Sequence, residues 1–301
     1  MGISAVVIGT GRTAPGIAAA LVQAGAQVTV AGRSPERAAQ AAALAGDGVA
    51  ARALGTGEAV RGAQLVVETV TEDPQLKSQV YALAEPWLDE GALLTTNTSG
   101  LSITALARGL LRPEAFAGFH FLHPADITPI VEIIAGEATA GETIGVLRDL
   151  AAAMGKTPIV ARRDVRGFVW NRLQHALLRE ALWLLDHDVA DVATIDAAVS
   201  DGLAPRWLAA GPLATVDLGG IQTWSRAAAE IFPHLASDPA LADILAGRTG
   251  AGAPFYEWDA AAESEISGLR SRAIKASRDI AAARRQFTPP SASSPGSPEP
   301  A

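Results

Sequence analysis

The stretch Ile3-Ser4-Ala5-Val6-Val7-Ile8-Gly9-Thr10-Gly11-Arg12-Thr13-Ala14-Pro15-Gly16 decides how the chain is read. Its first six residues are mostly apolar and rich in β-branched side chains, the pattern of a short buried strand, and glycine closes the run. Pro15 to Ala24 then reads as a helix that stops at Gly25, and Gln27 to Ala31 as a second apolar strand. Strand, helix and strand within about thirty residues make the unit from which parallel sheets are built.

Gly9, Gly11 and Ala14 within that unit have the spacing of a GxGxxG-type dinucleotide loop. Gly9 allows the tight turn, Gly11 lets the backbone approach a diphosphate, and Ala14 stands for the third glycine where helix packs on strand. Free N–H groups at the helix start would face the diphosphate. At the end of the second strand, Ala31-Gly32-Arg33-Ser34 puts glycine where an NAD site usually carries the acid that binds the ribose. Without that carboxylate a 2′-phosphate is not repelled. Arg33 offers a planar fork and Ser34 a hydroxyl donor, with Arg37 and Arg12 as reinforcements, so NADP(H) is the preferred cofactor. NAD(H) stays open if Arg33 merely stacks on adenine.

Working outward, Pro35 to Leu44 is an alanine-rich helix with Ser34 as its N-cap. Leu65 to Thr69, Leu93 to Thr96, Ala117 to Leu122 and Ile130 to Ile134 are further strands. This alternation predicts an α/β fold, a doubly wound, Rossmann-type sheet with helices on both faces. From Gly167 onward no strand pattern remains, and Phe168, Leu173, Leu177, Ala181 and Leu184 recur at helical spacing. Later helices are expected at Val192 to Ser200, from Pro212, and at Ala260 to Gln286. The expected organisation is a nucleotide-binding domain over 1–163, an all-α substrate and dimerisation domain over 164–287, and a disordered Pro/Ser-rich tail over 288–301.

Among 301 residues, 32 acidic against 24 basic give a net charge of −8, the wrong sign for a protein that neutralises nucleic-acid phosphates or anionic lipid. With no cysteine there is no disulfide, thiolate nucleophile or Cys-ligated metal, and five scattered histidines do not suggest a zinc site. The longest charge-free stretch, Thr13 to Gly32, is broken by Pro15, Gly16, Gln23, Gly25 and Gln27, so it reads as helix and strand rather than a membrane span. The expected compartment is the cytoplasm.

Four polar residues stand where chemistry is possible. Glu132 lies in Pro129-Ile130-Val131-Glu132-Ile133-Ile134, otherwise a strand buried on both faces, and a lone carboxylate there needs a partner. His120, in Gly118-Phe119-His120-Phe121-Leu122, lies on the preceding strand, and the short connection allows antiparallel pairing. A carboxylate on one ring nitrogen would fix the tautomer and leave the other for a substrate hydroxyl. A structural histidine satisfied inside the sheet fits the spacing equally. Ser99, after Thr95-Thr96-Asn97-Thr98, falls where strand ends form a binding crevice, although such a junction is often only a turn or cap. Asn171 begins the first long helix after the sheet, a position also ordinary for an exposed asparagine.

Taken together, these motifs resemble the L-3-hydroxyacyl-CoA dehydrogenase superfamily over residues 3–258. VIGTGRTAPGIA is similar to its nucleotide loop, VVETVTEDPQLK to its post-strand segment, and TTNTSGLSIT to its serine motif. GFHFLHP with PIVEII is similar to its histidine and glutamate strands, and GFVWNRL to its asparagine helix. The resemblance implies His120 as general acid/base, Glu132 as its orienting partner, and Ser99 and Asn171 as hydrogen-bond donors to the reacting oxygen. It also places Glu72, Lys77 and Asn97 along the cofactor and implies a homodimer formed through the α domain.

The second domain is most similar to the lambda-crystallin, L-gulonate dehydrogenase and carnitine dehydrogenase branch, which uses small polar hydroxy acids. The interval from Arg33 to Glu68 lacks the helical excursion that holds CoA in fatty-acyl members. His123 replaces an asparagine of the family pattern, and Gly250 replaces a lysine. The expected activity is NAD(P)-dependent interconversion of a 3-hydroxy and a 3-keto group on a carboxylate, thioester or polyketide-like substrate. The alternatives are a catalytically silent, crystallin-like structural protein and 3-hydroxybutyryl-CoA dehydrogenase proper.

Overall fold

The computed structural model describes residues 2–285, so the expected tail at 288–301 lies outside the described residues. The first half alternates strands and helices: β1 (Ser4–Ile8), α1 (Ala14–Gln23), β2 (Gln27–Gly32), α2 (Pro35–Ala45), β3 (Ala50–Ala53) and β4 (Leu65–Glu68). It continues through α3 (Pro74–Ala84), β5 (Leu93–Thr96), α4 (Ile103–Leu106), β6 (Phe116–Phe121), β7 (Ile130–Ile134), α5 (Gly141–Ala153) and β8 (Thr157–Ala161). One eight-stranded sheet results, ordered β3-β2-β1-β4-β5-β6-β7-β8. Strands β1 to β6 are mutually parallel, β7 is antiparallel to β6, and β8 is parallel to β7.

Strand residues point alternately to two cores, because successive side chains leave opposite faces of a sheet. Ala5 and Val7 of β1 pack in one core with Ile17 and Leu21 of α1, Phe119 of β6 and Leu147 of α5. Val6 and Ile8 pack in the other with Tyr81 of α3, Leu106 of α4 and Phe116 of β6. Each such large apolar side chain contributes about 1.5–3 kcal/mol on burial. The central strands must therefore be apolar on both faces, which is why they were legible.

Two strands escaped the sequence reading. β3 (AARA) is exposed along its whole length and lacks apolar alternation, and β8 lies at the opposite edge with Pro158 inside it. Edge strands bury little, so their pattern is weak.

The described residues fall into two compact units divided between Ala176 and Leu177, inside helix α6 (Trp170–Asp186). The second unit holds α7 (Val192–Ala197), a π-helical turn over Ala198–Leu203, α8 (Ala204–Ala209), α9 (Pro212–Gly219), α10 (Ile221–Ile231), α11 (Ala242–Ala251) and α12 (Ala260–Arg285). Among the described residues, no strand follows β8 and no helix is long and apolar enough to cross a membrane.

Candidate active site

Strand order reverses beside β1, whose neighbours are β2 and β4, and a crevice opens there at the carboxyl ends of the strands. The glycine loop forms its floor. Gly9 has φ +135°, and a Cβ there would lie 2.6 Å from the Thr69 carbonyl oxygen, so only glycine fits. At Gly11 a Cβ would meet nothing within 4 Å, leaving the backbone open to an approaching group. Ala14 is fully buried where α1 meets the sheet. These features fit a dinucleotide diphosphate: an open backbone cradle at the N-terminus of a ten-residue helix.

Gly9, Gly11, Arg33, Arg37 and Thr69 line a cavity of about 150 Å³ on the adenosine side of that loop. Arg12, by contrast, lines a separate cavity of about 200 Å³ with Gly16, His123 and Asp126. Gly32 has a steric reason beyond the missing acid, since a Cβ there would sit 2.6 Å from Thr10 Cγ2. Ser34 is the N-cap of α2 that the sequence leads one to expect. Its Oγ accepts from Arg37 N at 3.2 Å as the N-cap of α2 and donates to Glu36 Oε2 at 2.6 Å. That donation holds the Glu36 carboxyl below its ordinary pKa and leaves a negative charge beside the hydroxyl.

His120 and Glu132 are direct partners in the antiparallel β6–β7 ladder. Nδ1 of His120 lies 2.8 Å from Glu132 Oε2, while Glu132 Oε1 accepts from the backbone N–H groups of Val169 and Trp170 at 3.0 and 2.8 Å. The buried carboxylate is thus paired on both oxygens, as desolvation demands. Gly167 and Phe168 make this possible by adopting φ +79° and +50°, a turn that brings the two amides onto Glu132. Phe168 is not glycine and so carries strain, a feature that concentrates at functional sites. Its ring packs edge-on against His120 at 5.8 Å. No buried side-chain nitrogen or oxygen among the described residues lacks a partner, and Nε2 of His120 has no protein bond, so it faces open space.

Asn171 Nδ2 donates to the Ser99 carbonyl oxygen at 2.9 Å, joining residues 72 positions apart. The Ser99 side chain is exposed. Glu72 turns onto the same loop, where its Oε1 accepts from Thr98 Oγ1 at 2.5 Å, Ser99 N at 3.0 Å and Gly100 N at 3.2 Å. Asn97 accepts from Phe121 N at 2.7 Å and reaches Thr69 Oγ1 at 3.4 Å.

The resemblance places Lys77 along the cofactor. It is 1% exposed, with its ammonium 2.8 Å from Glu68 Oε1 and 3.5 Å from Glu72 Oε2. Sequence reading passed over Glu68, which is fully buried and also accepts from Val70 N, Tyr81 Oη and Thr96 Oγ1. Burial first, then the Glu68 charge, pushes the Tyr81 phenol well above its ordinary pKa and keeps it a donor. An acid ending the apolar run Leu65–Glu68 was the available signal.

The chain is similar to known proteins in sequence and fold. The profile described as 3-hydroxyacyl-CoA dehydrogenase, NAD binding domain, matches residues 50–165, and that of the C-terminal domain matches residues 167–253. Residues 4–85 also match NADP oxidoreductase coenzyme F420-dependent. The chain is 34% identical over 262 residues to 5-formyl-3-hydroxy-2-methylpyridine 4-carboxylate 5-dehydrogenase of Mesorhizobium japonicum, covering 81% of this chain and 85% of that one. It is 42% identical over 172 residues to the fatty acid oxidation complex subunit alpha of Acinetobacter baumannii, covering 56% of this chain but only 23% of that protein. The crystal structure of a 5-formyl-3-hydroxy-2-methylpyridine 4-carboxylic acid 5-dehydrogenase, described as an NAD⁺ dependent dismutase, superposes with TM-score 0.87 at 30% identity, covering 94% of this chain and all of that one.

Proposed function

The chain belongs to the 3-hydroxyacyl-CoA dehydrogenase family, and from that premise we propose that it interconverts a 3-hydroxy and a 3-keto group on a small carboxylate-bearing substrate, with His120 as general acid/base. The observation that carries this reading is the His120–Glu132 pair: Nδ1 is held at 2.8 Å while Nε2 is left facing open space. Glu132, itself held by two backbone amides, keeps the proton on Nδ1, so Nε2 is free to accept the proton of a substrate hydroxyl. The exposed Ser99 hydroxyl and the Asn171 amide, linked through the Ser99 carbonyl, stand as donors for the developing alkoxide. Gly9 and Gly11 at the loop would hold a nicotinamide dinucleotide, which supplies hydride acceptance and donation when bound.

Two features support NADP(H) as the preferred form: glycine in the acid's position at 32, and the Arg33 and Arg37 side chains lining the adenosine cavity. NAD(H) is the second cofactor. The short Arg33 to Glu68 interval favours a small acid over a long-chain CoA ester. Similarity to a pyridine carboxylate 5-dehydrogenase favours a second reading, oxidation of an aldehyde on a small aromatic acid. A hydrated aldehyde presents the same CH–OH to His120 Nε2.

A second copy of the chain is the proposed partner of the helical unit. Leu213, Leu218, Phe232 and Ile221 are 82%, 80%, 70% and 66% exposed, apolar side chains that a second copy would cover.

The test follows consumption of reduced cofactor against a panel of free 3-keto acids and their pantetheine and CoA thioesters, and formation of reduced cofactor from oxidised cofactor with aromatic formyl acids. Wild type turns over at least one small acid, whereas His120→Ala binds cofactor normally and does not. Full turnover in the variant would remove His120 from the reaction.

A further inference from the structure

Three side chains along the carboxyl ends of β5, β4 and β1 form a hydrogen-bond chain with a direction. It starts at the backbone N–H of Phe121, next to His120, which lies 2.7 Å from Asn97 Oδ1. A backbone N–H can only donate, so this Asn97 atom is the carbonyl oxygen and the other is the amide nitrogen. That nitrogen reaches Thr69 Oγ1 at 3.4 Å and, as a donor, makes the threonine oxygen the acceptor. Thr69 Oγ1 and Thr13 Oγ1 are 2.9 Å apart. Thr69 Oγ1 keeps a second lone pair beside the one that Asn97 fills, so either hydroxyl can donate in this pair; with Thr69 as the donor the chain runs one way from Phe121 to Thr13.

In that arrangement the Thr13 proton stands at the end of the chain, in the glycine loop. Thr13 occupies the N-cap position of α1, yet its side chain makes no capping bond. Threonine in that position usually accepts from an amide of the first helical turn. Here the hydroxyl is turned to Thr69 instead. Thr69 N also donates to the Ile8 carbonyl oxygen at 2.7 Å, which ties Thr69 to the start of the loop.

We propose that Thr13 donates a hydrogen bond directly to the diphosphate of the bound dinucleotide, and that Thr69 and Asn97 are positioning residues that orient its proton. The inference rests on the dinucleotide reading above and adds two residues to it, Thr13 and Thr69. A hydroxyl that accepts a hydrogen bond is a better donor, so the chain strengthens the last bond. It also ties the diphosphate to the strand that carries His120.

Calorimetric titration of the full chain with ADP and with adenosine tests this, because only ADP carries the diphosphate. Thr13→Val should weaken ADP about tenfold, the scale of one hydrogen bond to a charged group. Adenosine affinity should stay within about twofold, and Thr13→Ser should recover ADP binding to the same margin. Thr69→Val should weaken ADP about threefold through lost polarisation and add nothing in the Thr13→Val background. Unchanged ADP affinity in Thr13→Val, an equal loss for adenosine, or additive effects of the two substitutions would overturn the inference alone. A wild-type chain that binds neither ligand would overturn the dinucleotide reading and this inference together.

Discussion

Replacing Glu132 with glutamine changes one atom and reverses the hydrogen-bond logic of the catalytic pair. Val169 N and Trp170 N can only donate, so the new amide oxygen must remain where Oε1 sits, 3.0 and 2.8 Å from them. The NH₂ group then faces His120 Nδ1 across the 2.8 Å now spanned by the carboxylate oxygen. A donor there obliges Nδ1 to accept, which moves the ring proton to Nε2 and removes the lone pair that would take the substrate proton. Holding a catalytic imidazole in the wrong tautomer costs about a thousand- to ten-thousand-fold in kcat.

The fold should survive Glu132→Gln. Three charge-assisted bonds become neutral ones, a loss of about 2 kcal/mol. That corresponds to a fall in Tm of about 5 °C. Steady-state kinetics in the oxidation direction, cofactor titration and a thermal melt read the three quantities separately. The reasoning fails if kcat stays within about tenfold of wild type while the melt confirms a native fold, or if the whole loss lies in KM, since a tautomer error acts on the transition state.

Arg33→Ala should weaken NADPH more than NADH in fluorescence titrations, and equal losses for the two would contradict a phosphate fork. Gly32→Asp alone should disorder the adenosine side, because its Cβ meets Thr10 Cγ2 at 2.6 Å. Combined with Thr10→Ala it should raise NADH affinity relative to NADPH, and an unchanged ratio in that double variant would refute the assignment. Both tyrosines should titrate late: Tyr81 is raised by burial and the Glu68 charge, Tyr256 by its hydrogen bond to Asp196. With folded values above the unfolded value of about 10, their contribution to stability is intact below about pH 10 and lost as pH rises through the folded values. Tyrosinate absorbance of the folded chain should therefore lag that of the denatured chain, and coincident curves would contradict the placement of both phenols.

The core of the sheet could be read from the amino acids alone because strands buried on both faces must be mostly apolar, as β1, β2, β4, β5, β6 and β7 are, with polar residues such as Glu68, His120 and Glu132 as the exceptions. The glycine loop was legible for a similar reason: turn, close approach and helix packing each restrict the residue type at a fixed spacing. So was the pairing of His120 with Glu132, since an acid within a buried strand demands a partner and the neighbouring strand held one.

Tertiary structure decided what depends on which donor reaches which acceptor. Ser34 caps α2 through Arg37 N as its place before Pro35 suggests, but its donation to Glu36 Oε2 is a local choice that the residue type does not reveal. The resemblance puts Lys77 along the cofactor, and the turn from β4 to α3 buries its ammonium against Glu68. Asn171 meets the Ser99 backbone, and Thr13 meets Thr69, across long intervals of chain. A hydrogen bond is short-ranged and directional, so its partners exist only once the backbone has set their positions to within a few tenths of an ångström.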